Sequence, residues 1–361
     1  MKSRQWLAVV PVAGALAMGV AACGGSSSAS TSSSGSSASG TVNGAGSTFA
    51  APIYQQWGSD LKKQGITVNY QPVGSGAGVA ALANKTADFA GSDPPLVAAD
   101  KSSIKTPVIQ IPMAIGAITV SYNAPGLQKG LKLDGGTIAD IFMGKVTTWN
   151  DPEIAKQNPG VSLPSSKITV VHRSDESGTT KGFTTFLSAY SPEWKSKIGA
   201  DKTVKWPTGT GAKGNDGVAA AVKQTSGAVG YVEQAYALQN NFNYADVKNK
   251  AGKYVAPTLQ STSAAGEGLS VPPDLGVVTI DSPNPAAYPI SSQTFVDVHQ
   301  DVCKSGMSAG NAKALKAFLT YGLDQGQAVA KQLFYAPLPA NLLSKSKAQI
   351  DKIQCNGSAI E

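Results

Sequence analysis

Three times in this chain an extended run passes through a short turn of glycine, serine and threonine into a run with helical periodicity. The first comprises Thr41-Val42-Asn43, the turn Gly44-Ala45-Gly46-Ser47-Thr48, and Phe49 to Leu61, where Phe49, Ile53, Trp57 and Leu61 fall at helical spacing. Pro52 stands in the first turn of that helix, where a missing N–H costs nothing. The second comprises Ile66 to Val73, Gly74-Ser75-Gly76-Ala77-Gly78, and Val79 to Ala83. The third runs from Lys167-Ile168-Thr169-Val170-Val171-His172 through Arg173-Ser174-Asp175-Glu176-Ser177-Gly178-Thr179-Thr180. It leads into a helix with Phe183, Phe186, Leu187 and Tyr190 at i, i+3, i+4 and i+7. Strands alternating with helices predict an α/β fold with much parallel sheet. In such folds ligands bind beyond the carboxyl ends of strands, where helix N-termini point.

The third turn reads as an anion cradle. Ser177-Gly178-Thr179 falls where a helix begins, with unpaired backbone N–H groups and the positive end of the macrodipole. Arg173 adds a planar fork of donors suited to a tetrahedral oxyanion. Between the second and third turns, Ala87 to Pro95 predicts a short strand that ends with Asp93 held in a turn. The Gly74–Gly78 turn lacks the Gly-Lys-Ser/Thr of a P-loop and the dinucleotide-binding spacing. Ser75 is not a nucleophile elbow, because Val73 and Ala77 occupy the required glycine positions. His172 precedes Arg173 in a strand, so its side chain is expected on the opposite face, as a satisfied or exposed histidine. Serine–histidine catalysis would then rest on His299 alone.

The ends of the chain carry a different message. Lys2 and Arg4 form a positive n-region, and Trp6 to Val20 an apolar run short of the about 20 residues a membrane span needs. Val20-Ala21-Ala22-Cys23 resembles a lipobox, so residues 1–22 read as a lipoprotein signal peptide and Cys23 as a lipidated first residue. Gly24 to Gly40 is almost wholly small and polar, a flexible tether whose reach is on the order of 20–25 Å. Such a spacer makes sense between a multi-chain acyl anchor and a folded body. With Cys23 lipidated, Cys303 and Cys355 remain, and an even pair in an exported protein reads as a disulfide. Two buried free thiols are the alternative. Zinc has too few thiolates and histidines, and no cofactor motif is present.

The formal charge of +7 falls to +5 once Lys2 and Arg4 are removed, and it is scattered lysine without a like-charge run. Nucleic-acid binding has no further support. The body from Thr41 exceeds the size one core usually serves, so two lobes are expected. Val108 to Val120 reads as a buried strand region broken by Pro112 and Gly116, suited to an interlobe crossing. Lys205 to Gly217 reads as a long loop before a helix Val218 to Val222, and Gly227 to Val232 as a buried strand. Ala312 to Tyr321 reads as an amphipathic helix ended by Gly322.

These residues resemble the phosphate-binding proteins of phosphate-specific ABC transporters. The likeness spans nearly the whole body: Gly44 to Phe49, Gly91-Ser92-Asp93-Pro94-Pro95-Leu96, Arg173 through Thr179, Lys205-Trp206-Pro207, Lys213 to Gly217, and Gly230-Tyr231-Val232-Glu233. It implies a two-lobed, hinged periplasmic-binding-protein fold of type II, each lobe a mixed, mostly parallel sheet flanked by helices. The expected lobes are 41–115 with 292–361, and 116–291. The implied phosphate ligands are Thr48 and Phe49 (backbone N–H groups and the Thr48 hydroxyl), Ser75, Asp93, Arg173, Ser177, Gly178 and Thr179, with Asp175 orienting Arg173. Glu176 stands where the family commonly has glycine, and no ligand position is lost. The implied role is a monomeric, non-enzymatic binding protein, lipid-anchored outside the cytoplasmic membrane and delivering phosphate to permease subunits. A binding protein for sulfate or molybdate and a phosphate-ester hydrolase are the rival expectations. Asp93 argues against the former, and the lack of a nucleophile or metal cluster against the latter.

Overall fold

The computed structural model describes residues 39–361. The expected signal peptide, Cys23 and nearly all of the tether lie outside the described residues. Among the described residues no helix is long and apolar enough to cross a membrane.

Nine strands form one sheet: β1 (Gly40–Gly46), β2 (Ile66–Pro72), β3 (Phe89–Ser92), β4 (Val108–Asn123), β5 (Thr169–Arg173), β6 (Thr210–Ala212), β7 (Ala228–Glu233), β8 (Asn243–Tyr244) and β9 (Ser291–His299). Their order is β2-β1-β3-β9-β4-β7-β5-β6, with β8 also on β4. Parallel pairing is confined to the outer groups, β2-β1-β3 and β7-β5-β6. The centre, where β9 meets β3 and β4 and where β4 meets β7, is antiparallel.

This topology decides where the turns meet. The first half of β4 pairs with β9, from Val108↔His299 to Ala117↔Ser291, and the second half pairs with β7, from Ile118↔Glu233 to Asn123↔Ala228. The β2-β1-β3 group runs with β4 along its first half, and the β7-β5-β6 group runs against it along its second. Both sets of carboxyl ends therefore point at the middle of β4. Each βα turn found in the sequence lies at one of those ends.

The helices that follow are α1 (Ala51–Leu61), α2 (Ser75–Ala83), α3 (Gly178–Tyr190) and α4 (Gly214–Gln224), with α5 (Ala309–Leu323) near the C-terminus. Helix α1 buries Ile53, Trp57 and Leu61 of the stripe its spacing predicted, with Tyr54 beside them, and Phe49 of that stripe is buried just before the helix. Tyr54, Trp57, Phe89 and Phe318 pack there as an aromatic cluster with centroids 5.3–6.3 Å apart. A second cluster joins Phe142, Phe183, Trp206 and Tyr231, Phe183 and Tyr231 stacking at 4.3 Å. Aromatic pairs of this kind add about 0.5–1.5 kcal/mol each beyond the area they bury.

Three expectations are corrected. Strand β4 is not broken at Pro112 and Gly116; it runs through sixteen residues, and the register slips once between Thr294 and Phe295 so that Met113 bulges out beside Pro112. The bulge accommodates the missing proline N–H, and Gln327 donates to the Met113 carbonyl at 2.9 Å. The 205–217 segment contains β6, and α4 begins at Gly214, not Val218. Gly322 does not end its helix. It lies within α5, where an added Cβ would come 2.7 Å from Met113 and 2.9 Å from Trp57. Its smallness serves packing.

Cys303 and Cys355 are joined, with an S–S distance of 1.98 Å and Cα atoms 4.7 Å apart.

Candidate functional site

Strand β1 ends at Ser47-Thr48-Phe49, all buried. Three tyrosine hydroxyls hold the successive carbonyls of this turn. Tyr70 donates to Ser47 O at 2.8 Å, Tyr236 to Thr48 O at 2.7 Å and Tyr335 to Phe49 O at 2.5 Å. In a trans peptide the N–H points opposite to the preceding carbonyl. Fixing the Ser47 and Thr48 carbonyls therefore aims the Thr48 and Phe49 N–H groups away from Tyr70 and Tyr236. Helix α1 starts at Ala51 with no side-chain cap from Ala50, whose own N–H donates to Ser47 Oγ at 3.0 Å.

Strand β2 leads through Gly74 into α2, whose first residue is Ser75. Gly74 has φ +100°, and a Cβ there would come 2.6 Å from an Asp175 oxygen and 2.7 Å from the Glu176 carbonyl. Glycine alone lets this turn close on the Arg173–Thr179 segment. The Gly76 N–H donates to Glu176 O at 3.3 Å, and the Gly178 N–H donates to Ser75 Oγ at 3.2 Å.

Arg173, the last residue of β5, is buried and its guanidinium is bidentate on Asp175, with Nε to Oδ1 at 2.7 Å and Nη2 to Oδ2 at 2.6 Å. Asp175 Oδ1 also accepts the Gly214 N–H at 3.1 Å. Burial would raise the Asp175 carboxyl, but the Arg173 guanidinium and that N–H outweigh it and hold the group below the usual range. Arg173 Nη1 reaches Thr179 Oγ1 at 3.4 Å. The fork is thus anchored on one edge, leaving Nη1 as the end next to the N-terminus of α3. Ser177 caps that helix, accepting the Thr180 N–H at 3.0 Å.

Asp93, two percent exposed, follows β3 and faces this segment. Its Oδ1 accepts from Ser47 Oγ at 2.5 Å and from Thr294 Oγ1 at 3.2 Å, and its Oδ2 lies 3.3 Å from Ser75 Oγ. Burial pushes its carboxyl up to about 6, against the opposing pull of the Ser47 and Thr294 hydroxyls, the Arg173 charge and Ser75. A Cβ on Gly178 would come 2.4 Å from Oδ2, so this oxygen lies directly against the first turn of α3.

The turns singled out in the sequence therefore converge: Thr48, Phe49, Ser75, Asp93, Arg173, Asp175, Ser177, Gly178 and Thr179 lie around buried donors, with Asp93 paired to no cation among the described residues and Asp175 bonded to Arg173. Sequence reasoning missed several partners. Asn215, fully buried in the first turn of α4, donates through Nδ2 to Thr48 Oγ1 at 2.8 Å and to Thr179 Oγ1 at 3.1 Å. Its Oδ1 accepts the Glu233 N–H at 2.9 Å. The Lys213–Gly217 motif was the available signal, but the helix was expected to start too late to give Asn215 a role. Ser47 lay inside a noted turn without an assignment. Thr294 and the three tyrosines had no local signal at all.

Both histidines are tied up elsewhere. His172 stacks on Trp206 at 4.7 Å, half-buried on the opposite face of β5 from Arg173, and burial lowers its pKa. His299 bonds the Thr106 hydroxyl at 2.6 Å and the Leu82 carbonyl at 3.0 Å. Among the described residues no cluster of three or more histidine, cysteine and acidic side chains could hold a metal.

The family model described as a PBP superfamily domain matches residues 31–325. The phosphate-binding protein PstS of Pasteurella multocida (strain Pm70) is 42% identical over 313 residues, covering 86% of this chain and 89% of that protein. The phosphate-binding protein PstS 3 of Mycobacterium leprae (strain TN) is 36% identical, covering 84% and 85% respectively. Among solved structures, a high-affinity periplasmic phosphate-binding protein (PfluDING) with bound phosphate superposes with a TM-score of 0.70. It is 24% identical and covers 86% of this chain and 93% of its own.

Proposed function

The chain belongs to the PBP superfamily, among the phosphate-binding proteins named PstS, and we propose that the buried locus at the middle of β4 holds inorganic phosphate for delivery to an ABC importer. One observation carries the assignment of the site: a buried carboxylate, Asp93, with no cation bound to it among the described residues, set among hydroxyl and N–H donors and facing an anchored arginine. At neutral pH phosphate keeps one or two protons, whereas sulfate keeps none. Ionised Asp93 accepts a hydrogen bond from a P–OH group, but against sulfate it meets lone pairs with no proton between them. That desolvated repulsion rejects the wrong anion.

The ligands in this reading are the Thr48 and Phe49 N–H groups, the Thr48 and Ser75 hydroxyls, Asp93, Arg173 Nη1, and Ser177, Gly178 and Thr179 at the start of α3. Asp175 holds Arg173 in place and offsets its charge, so selectivity comes from hydrogen bonding more than from net field. The lobes are residues 41–115 with 292–361 and residues 116–291, closing on the anion by bending where β4 and β9 pass between them. Closure excludes water and strengthens each bond to the ligand. The protein acts as a monomer outside the cytoplasmic membrane, anchored through lipidated Cys23 on its Gly/Ser tether. It is a binding protein and not an enzyme; that both histidines are spent on structural contacts supports this.

Calorimetric titration of the purified protein with phosphate and with sulfate tests the reading, beside Asp93→Asn. The expected result is tight phosphate binding and no sulfate binding at neutral pH, with sulfate gained in the variant. Equal affinity for the two anions in the unmutated protein sinks it.

A further inference from the structure

The two oxygens of Asp93 are not equivalent. Oδ1 receives two hydroxyl donors, and it is the nearest acceptor to each: Thr294 Oγ1 lies 3.5 Å from the Ser92 carbonyl against 3.2 Å from Oδ1. Ser47 Oγ already accepts the Ala50 N–H at 3.0 Å, which turns its own proton toward Oδ1 at 2.5 Å. Thr294 Oγ1 lies 3.2 Å from Oδ1 and 3.4 Å from the Tyr54 hydroxyl, and Tyr54 directs its proton to the Phe295 carbonyl at 3.2 Å. Oδ2 has one hydroxyl donor, Ser75 at 3.3 Å, whose oxygen accepts the Gly178 and Asp93 N–H groups, and it lies against the turn of α3 that receives the anion.

We propose that Ser47 and Thr294 are positioning residues that occupy Oδ1 and leave Oδ2 as the oxygen of Asp93 that meets the anion and takes up a proton. A proton reaching Oδ1 has to displace one of two directed hydroxyls, so protonation is forced onto Oδ2. There it turns the acid from acceptor into donor, and the site ceases to reject a fully deprotonated oxyanion. The pair thereby sets the pH at which discrimination fails. The inference rests on phosphate being the ligand.

The charged and titratable groups acting on Asp93 are few and known. Arg173 from β5 favours the ionised form. Tyr54 from α1, Tyr70 from β2, Glu233 at the end of β7, Tyr236 after it and Tyr335 also couple to it electrostatically. The tyrosines stay neutral across the relevant range because burial raises them all. Burial likewise keeps Glu233 well above the ordinary carboxylate range. What remains are hydroxyls: Ser47 and Thr294 on Oδ1, and with a smaller effect Ser75 on Oδ2.

The test measures phosphate and sulfate affinity by calorimetry across the acid-to-neutral range for the unmutated protein, Ser47→Ala, Thr294→Val and Thr294→Ser. In parallel, the Asp93 carboxyl is titrated by carbon-13 NMR without anion. Losing either hydroxyl is expected to move the onset of sulfate binding up by about one pH unit, so that at a fixed pH well above the midpoint sulfate binds about tenfold tighter. Thr294→Ser, which restores a hydroxyl, is expected to recover the unmutated profile. An unchanged sulfate onset and an unchanged carboxyl titration in both Ser47→Ala and Thr294→Val overturn the proposal. If Ser47→Ala fails to fold, the Thr294 pair decides. Should the unmutated protein bind no phosphate, the functional reading fails, and the NMR titration still judges whether these hydroxyls control Asp93.

Discussion

At the scale of single residues, Asp93 is an acid kept in a place that disfavours its charge. Its folded carboxyl titrates at about 6 against an ordinary 3.8, so between those values the folded chain holds a proton that the unfolded chain has released. Stability of the anion-free protein therefore falls as pH rises through that window, by on the order of 3 kcal/mol from this group. Urea unfolding at the two ends of the window measures the drop, and Asp93→Asn should remove this share of it. Asp297 and Glu233, buried acids with carboxyls also pushed well up, slope the same way and remain in the variant. Arg173→Lys should weaken phosphate about a hundredfold by isothermal titration. A lysine cannot hold Asp175 with two parallel bonds while also reaching the anion, and each charge-assisted bond is worth about 1.5–3 kcal/mol. Arg173 and Asp93 were legible because their residue types carry chemistry at turn positions, whereas the pairing of Asp175 with Arg173 came from the family resemblance. Thr294 was not, because its hydroxyl acquires meaning only from a carboxylate 201 positions away.

At the scale of elements, the βα turns were readable, and the strand that organises them was read as buried but wrongly as broken. Glycine punctuation and helical spacing marked the starts of α1, α2 and α3 to within a few residues. Helix α4 hid its start because Gly214-Asn215-Asp216-Gly217 contains weak helix formers, and the turn is held by partners from distant segments. Pro112 suggested a break in β4, and Gly322 suggested the end of α5. Each is explained by a tertiary neighbour: the Met113 bulge in one case, the Trp57 ring in the other. Helix α3 invites a direct test. An added methyl in Gly178→Ala would lie 2.4 Å from Asp93 Oδ2 and 2.6 Å from Ser75 Oγ, so the first turn must withdraw. Phosphate affinity should fall more than about tenfold, while stability changes little because alanine is the better helix residue. Calorimetry together with thermal melting separates the two effects. Intact affinity would show that the turn can stay where it is.

At the scale of the whole molecule, the disulfide and the site are separate investments. Cys303 and Cys355 close a loop with a sequence separation of 52, joining the segment after β9 to the C-terminal hairpin. Replacing both by serine should cost roughly 2–4 kcal/mol of stability and leave phosphate affinity unchanged, since neither cysteine touches the donors around Asp93. Chemical denaturation and anion titration of the double variant check both halves of that statement. Residues 39–361 otherwise belong to one compact unit, and β4 is the reason. The sixteen-residue strand is not duplicated: its first half completes one group of strands and its second half the other. A gene fragment ending or beginning anywhere within it would strand one group with an unpaired central edge, open to exchange with a second molecule. The protein thus resists being divided into separately expressed halves, and a reporter or foreign domain can be inserted in an outer loop but not at the crease where the two groups of strands join.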